Sequence, residues 1–378
     1  MAEVGWTALK LGLTSFGGPT AHPAYFRRAY VTERGWLGEA EFAETMALTQ
    51  MLPGPSSSQL GTVIGYQRAG SAGALAAWVG FTLPSALAMA TLAAFGADTD
   101  LASSGPVRAL MCLAVAVVAS AVIDMARNFW GAAVPLVMGI AVFGLTVAGI
   151  APYVPVIGIA LCAAVAARLL RPQASEPAAG FARAPSRVVG AALLLAVPVI
   201  GLLLWLLRGH PLGYLASAMF NAGSLVFGGG HVVLPFLNAS VGPLVGPDTF
   251  LAGYGLAQAM PGPLFTFGTY LGQAVSGALG AAVATVTIFL PGLLLVLGAL
   301  PFWVAIRHTP WAVGAVAGAN AAVVGLLAGT LVHPLATEAI TDWRTGVLAV
   351  LLFVAVRWWR PPIWALVAAA LAAGLLLG

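Results

Sequence analysis

Apolar runs of about 20 residues, the length a helix needs to cross a bilayer, follow one another along this chain with only brief polar interruptions. The runs fall near 5–29, 40–67, 72–95, 106–126, 130–149, 153–170, 188–207, 212–239, 248–274, 277–304, 310–332, 344–358 and 361–377. Thirteen segments in 378 residues leave about 29 residues for each, so no extramembrane domain fits between them. The pattern predicts an all-α polytopic membrane protein of about 13 transmembrane segments. One polar stretch stands out, RPQASEPAAGFARAPSR at 171–187, whose Pro, Ala and Arg content predicts a flexible cytoplasmic linker.

The linker separates two copies of one pattern. The first copy carries SFGGP at 15–19, LTQMLPGP at 48–55 and GFTLP at 80–84; the second carries VFGGG at 226–230, LAQAMPGP at 256–263 and TIFLP at 287–291. Phe16 and Phe227 are 211 residues apart, Pro53 and Pro261 are 208 apart, and Pro84 and Pro291 are 207 apart. Ordered landmarks with so little drift indicate an internal duplication. It divides the chain into a first repeat at 1–170, the linker and one connecting helix at 171–207, and a second repeat at 208–378. Six segments return each repeat to its starting side, and the odd connecting helix sets the second upside down. Such inverted repeats, with helices broken at Gly/Pro motifs, are a signature of secondary transporters. Arginine counts of nine on the N-terminal side against six on the other place the N-terminus in the cytoplasm.

Composition sharpens this picture. The chain is 60% hydrophobic and only 7% charged, against about 25% charged residues for a soluble domain. Its +4 formal charge is spread singly between apolar runs, so no basic stripe exists for nucleic acid. Cys112 and Cys162 sit in apolar surroundings without a Cys/His cluster, which suits packing rather than metal or redox work. The start lacks the basic region and short apolar core of a cleavable signal. No P-loop, nucleophile elbow or metal-ligand cluster is present, so neither an enzyme nor a cofactor is expected.

The 46 glycines and 25 prolines are too many for plain helices, and the duplicated clusters are their informative part. Phe16-Gly17-Gly18-Pro19 and Pro53-Gly54-Pro55 interrupt the first two segments; Gly228-Gly229-Gly230 and Pro261-Gly262-Pro263 interrupt their counterparts. Unwound backbone in a membrane must face protein or a water-filled cavity, so the four breaks are expected to gather near the midplane. Each break starts a half-helix whose free N–H groups favour an anion. Thr20, His22, Ser56-Ser57-Ser58, His231, Thr266 and Thr269 follow as neutral donors, and Gln50 and Gln258 precede the PGP motifs. Few carboxylates lie nearby, so a small oxyanion suits the set better than a metal ion. A dianion also needs a fixed cation, for which Lys10, the only lysine, and Arg27 or Arg28 flank the first break. Close helix packing by GG, interfacial placement of the histidines and snorkelling of the arginines are the competing structural roles.

Energy coupling calls for an ionisable group inside the membrane. Glu39 and Glu41 suit the start of a helix, whereas Glu44, a turn deeper, and Asp124 are the coupling candidates. Asp124 also has a simple partner in Arg127, three residues on.

Phe16-Gly17-Gly18-Pro19, Gly35-Trp36 and Gln50-Met51-Leu52-Pro53-Gly54-Pro55, with Phe227-Gly228-Gly229-Gly230-His231 and Gln258-Ala259-Met260-Pro261-Gly262-Pro263, resemble the bacterial chromate ion transporter family. The resemblance covers nearly the whole chain and matches the long, two-domain type. It implies export of chromate from the cytoplasm across the bacterial inner membrane, coupled to the membrane potential or proton gradient. A sulfate or other oxyanion carrier is the nearest rival, with an anion channel or an intramembrane enzyme further off. The partners implied are a small oxyanion, the lipid bilayer and, as an option, a second copy in a homodimer. Gly230 stands where the first copy has Pro19, and the second copy lacks the Gly-Trp pair.

Overall fold

The computed structural model describes residues 1–98, 104–127, 129, 131–149, 153–170, 181–227, 229–307, 309–359 and 361–376. The first part of the chain forms α1 (Ala2–Thr14), α2 (Gly18–Phe26), α3 (Glu39–Met51), α4 (Ser56–Asp98), α5 (Gly105–Arg127), α6 (Ala133–Val147) and α7 (Tyr153–Leu169). The connecting helix is α8 (Arg187–Leu206). The second part forms α9 (Pro211–Leu225), α10 (Val233–Ser240), α11 (Pro247–Ala259), α12 (Phe267–Ala299), α13 (Pro310–Thr330), α14 (Trp343–Val354) and α15 (Ile363–Gly374). Among the described residues there is no strand. The first ten residues of the expected flexible linker, 171–180, lie outside the described residues. Its later part is docked rather than loose: the Gln67 amide donates to Arg183 O at 2.8 Å and accepts from Arg183 N at 3.0 Å.

Five helical stretches are long and apolar enough to cross a membrane: Ser56–Gly96, Gly105–Arg127, Arg187–Gly209, Leu264–Ile306 and Pro310–Ala339. Two of these reverse direction. In α4 the helix is interrupted at Ala69 and Gly70, where φ of Gly70 is +64°, a left-handed value that glycine adopts at little cost. A Cβ on Gly73 would strike the carbonyl of Gly65, although residues eight apart in a straight helix are separated by about 12 Å. The two arms are therefore antiparallel and packed backbone to backbone. The same reversal occurs in α12 at Ser276 and Gly277, with Gly272 against Gly280, each 207 residues further on.

Packing repeats in the same way. Helix α1 lies on the second arm of α4, where a Cβ on Gly12 would stand 2.6 Å from Phe81 O. Helix α9 lies on the second arm of α12, with Gly223 against Ile288. The two hairpins pack on each other. The remaining helices are exchanged between halves: α5 packs against α14 and α15, and α13 against α6 and α7. Small residues permit the exchange, since a Cβ on Gly314 would stand 2.7 Å from Ala166 O. Helix α8 is peripheral. Only 6% of its apolar window is buried, and Val188, Leu195 and Leu206 are exposed, an apolar outer surface that suits acyl chains and not water.

Candidate functional site

The half-helices stop where the glycines demand it. Helix α1 ends at Thr14, Ser15 is extended, and Gly17 and Gly18 both have positive φ, +97° and +63°, before α2 begins with Pro19 in its first turn. Two successive left-handed residues are accessible to glycine and strained for almost anything else. In the second half α9 ends at Leu225, Val226 is extended, Gly229 has φ +155°, and a short turn at Gly230–Val232 leads into α10. Gly228 and the side chain of Thr20 lie outside the described residues. The PGP motifs break α3 from α4 and α11 from α12, with φ of +123° at Gly54 and +94° at Gly262.

The structure brings these four breaks together. Gly54 N–H donates to Val226 O at 2.7 Å, and Gly262 N–H donates to Ser15 O at 2.9 Å. Each PGP break thus caps the other half's FGG break, in two reciprocal hydrogen bonds that join residues more than 170 positions apart. The crossing leaves no room for side chains. A Cβ on Gly54 would lie 2.8 Å from both Gly292 Cα and Gln59 Nε2, and one on Gly262 would lie 2.9 Å from Ser85 Oγ. Pro55 adds to the contact, its Cδ standing 2.7 Å from a Cβ built on Gly292. Pro53 contributes a carbonyl: Gln59 Nε2 donates to Pro53 O at 2.8 Å and to Gly292 O at 3.0 Å. In the second half the Pro263 carbonyl accepts from Thr266 Oγ1 at 2.9 Å, and Pro261, half-buried, holds the equivalent place in the break.

His22 is buried against Phe26 and Phe81. Its Nε2 lies 3.2 Å from Ser15 O and its Nδ1 2.8 Å from Ser57 Oγ. A carbonyl only accepts, so Nε2 carries a proton and donates to Ser15 O, while Nδ1 shares a hydrogen bond with the Ser57 hydroxyl. His22 therefore braces the first break and does not sit at an interface. His231 is also buried, with Nδ1 2.9 Å from Tyr254 Oη. Thr269 is bonded to Thr285, which donates onward to Ala281 O. Ser56 is half-buried at the start of α4, and Gln50 is exposed away from the crossing.

Other polar atoms are buried without partners among the described residues, among them Ser15 Oγ, Ser58 Oγ, Gln59 Oε1, Thr62 Oγ1 and Thr82 Oγ1. Sequence reasoning singled out the Ser56-Ser57-Ser58 run but missed Ser15, Gln59, Thr62 and Thr82. The available signal was their spacing, since 58 and 62 share one face of one arm and 78, 82 and 85 share a face of the other. Buried hydroxyls and amides are normally hydrogen-bonded, so these unsatisfied hydroxyls and the Gln59 carbonyl oxygen mark where a polar ligand or water is accommodated.

The charged candidates lie elsewhere. Lys10 is exposed on the side of α1 that carries Trp6 and Leu13, whereas α1 buries Val4, Ala8 and Leu11. Arg27 is paired with Glu39 through Nε at 2.8 Å and Nη2 at 2.5 Å, at an exposed end of the molecule. The Arg27 guanidinium holds the Glu39 carboxyl below its ordinary range. Neither cation reaches the crossing. Glu44 is half-buried and accepts a hydrogen bond from Trp303 Nε1 of the other half. Asp124 binds Arg357 at 2.8 Å, with Arg127 at 3.8 Å, so its main partner comes from the second half. Among the described residues no group of His, Cys, Asp and Glu is placed to hold a metal ion.

Comparison with known proteins settles the family. The chromate transporter family profile matches residues 2–168 and again 213–375. The chain belongs to the chromate transporter family. It is accordingly a membrane-embedded ion transporter, of a family that is not an enzyme class. An uncharacterized transporter of Methanocaldococcus jannaschii is 26% identical over 358 residues, covering 92% of this chain and 86% of that protein. The chromate transport protein of Pseudomonas aeruginosa is 30% identical over 293 residues, covering 75% of this chain and 68% of that protein. That of Cupriavidus metallidurans is 28% identical over 358 residues, covering 90% and 84%. No solved structure matches the chain.

Proposed function

We propose that this protein is a secondary active transporter that exports chromate across the cytoplasmic membrane of a bacterium, driven by the membrane potential or the proton gradient. The single observation that carries the reading is the reciprocal pair of hydrogen bonds, Gly54 N to Val226 O and Gly262 N to Ser15 O. They put four broken helices at one crossing, which is the arrangement that substrate sites of inverted-repeat carriers use. In this proposal the halves run in opposite directions through about 13 crossings, with the N-terminus in the cytoplasm. The neutral donors around the crossing replace part of the oxyanion's hydration shell. Rocking one half against the other strains the two crossing hydrogen bonds and opens the site to alternate sides. Of the two coupling candidates, Asp124 is held by Arg357, which leaves Glu44, in contact with Trp303, as the group that links proton binding to movement between the halves.

Chromate accumulation in everted membrane vesicles tests the proposal. Expected are uptake above empty-vector vesicles, loss of uptake with a protonophore, and weak competition by sulfate. Absence of uptake refutes it. Equal inhibition by sulfate transfers the substrate assignment to tetrahedral oxyanions in general, and uptake that survives collapse of the gradients points to a channel or exchanger.

A further inference from the structure

The crossing holds donors but no cation, and a dianion leaving water needs one. A cavity of about 1110 Å³, lined mostly by the second half with Thr146 and Gly149 of the first, supplies what is missing. One wall is a stripe of α9, Tyr214, Ala218, Asn221, Ala222 and Leu225, at spacings of 4, 7, 8 and 11 residues that keep to one helix face. Eleven residues of helix carry the cavity along about 16 Å. The last wall residue along α9 is Leu225, immediately before Val226, whose carbonyl takes the Gly54 N–H. Near the opposite end of α9, Arg208 lines the cavity from the turn that follows α8. Its Nε donates to the buried Ser217 hydroxyl at 2.9 Å, which fixes the guanidinium at the cavity wall. Asn221, Asn238 and Thr330 add polar groups along the way. Glu338, exposed on the far wall, makes no ion pair with Arg208 among the described residues, and His333 beside it is bonded to Thr337.

We infer that this cavity is an anion antechamber, in which Arg208, oriented by Ser217, binds a tetrahedral oxyanion through a two-pronged contact before the anion passes along Asn221 to the crossed breaks. A guanidinium suits this task because its planar donors match two oxygens of an oxyanion at once. The opposing carboxylate of Glu338 sets the affinity low enough for release. The inference rests on the oxyanion reading above and adds a cation that neither Lys10 nor Arg27 provides.

The test is equilibrium binding of radiolabelled chromate to the whole protein in nanodiscs, at several sodium chloride concentrations, with sodium sulfate as competitor. Arg208→Gln is expected to raise the Kd at least about tenfold, which corresponds to about 1.4 kcal/mol, and to flatten its salt dependence. Arg208→Lys should fall between, keeping charge but losing the two-pronged geometry. Glu338→Gln is expected to change the Kd in the opposite direction, about threefold tighter, because it removes a repelling charge. That opposite sign separates an electrostatic role from general damage to the fold. Wild-type affinity in both Arg208→Gln and Glu338→Gln overturns the antechamber and leaves the transport proposal standing. Wild-type protein that binds neither chromate nor sulfate overturns both.

Discussion

Replacing Gly54 with alanine is the sharpest perturbation of the crossing. Three costs add at that position. The +123° φ lies where side chains are strained, about 1–2 kcal/mol. The new methyl would stand 2.8 Å from Gly292 Cα, a backbone atom of the opposite hairpin that cannot swing aside, for an overpacking cost of about 1–3 kcal/mol. Relief by displacement lengthens the bond from Gly54 N to Val226 O, worth about 0.5–1.5 kcal/mol. The sum is about 2.5–6.5 kcal/mol. Gly18→Ala is the matched control: its φ is +63°, but nothing lies within 4 Å of the added Cβ, so only the backbone term of about 1–2 kcal/mol applies. Thermal unfolding in nanodiscs, followed by tryptophan fluorescence, should rank wild type above Gly18→Ala and both well above Gly54→Ala, with chromate uptake lost in the last. A Gly54→Ala midpoint equal to or above that of Gly18→Ala refutes the crossing as a tight, strained contact.

Glu44→Gln retains an acceptor for Trp303 Nε1 but no proton to exchange; uptake driven by a pH gradient should disappear while uptake driven by membrane potential persists, measured by imposing each gradient separately. Asp124→Asn leaves the nearly buried Arg357 guanidinium, with 10% of its side chain exposed, without its carboxylate, and should cost about 1–3 kcal/mol, whereas Arg127→Gln should cost under about 0.5 kcal/mol because that partner is 3.8 Å away and exposed; unfolding midpoints of both variants check the order. Glu39 has a folded-state pKa below its unfolded value, held down first by its hydrogen bond to Arg27, so its stabilising effect is present above the unfolded pKa and is lost as pH falls through the folded one. The small difference in midpoint between wild type and Glu39→Gln, small because both groups are exposed, should therefore be present at neutral pH and vanish once the pH is brought below the lowered folded-state pKa.

What the sequence disclosed depended on whether a residue has alternatives. Pro53-Gly54-Pro55 and Gly17-Gly18 cannot continue a helix, so the breaks were legible without knowing any neighbour. The hairpin turns were nearly so, since the predicted limits of 67 and 72, and of 274 and 277, bracket or touch Gly70 and Gly277. Partner choice was not legible. Asp124 had an obvious mate one turn away in Arg127 and keeps it at 3.8 Å, but its closer partner is Arg357, because the exchange of α5 into the other half brings α14 against it. Lys10 and Arg27 flank the first break in sequence, yet α1 turns Lys10 to the side of Trp6 and Leu13, and Arg27 follows Glu39 away from the crossing. Proximity along a helix fixes height in the membrane and says little about direction. Gln59 escaped notice for the same reason: its two acceptors, Pro53 O and Gly292 O, meet only when the hairpins pack. The apolar period identified membrane helices, but it could not say that α1, α3, α9 and α11 stop after 13–15 residues each.

The exchange of helices has a consequence for how the protein is made. The ribosome delivers α5, α6 and α7 long before their main partners exist, because α13, α14 and α15 are the last three helices of the chain. Until then Leu110, Leu113 and Ala114, fully enclosed in the finished protein, rest against lipid, where an apolar side chain is at no disadvantage. Insertion can therefore run ahead of assembly. The first half waits in the bilayer as a set of inserted but incompletely packed helices, and the arrival of α14 and α15 locks both halves at once.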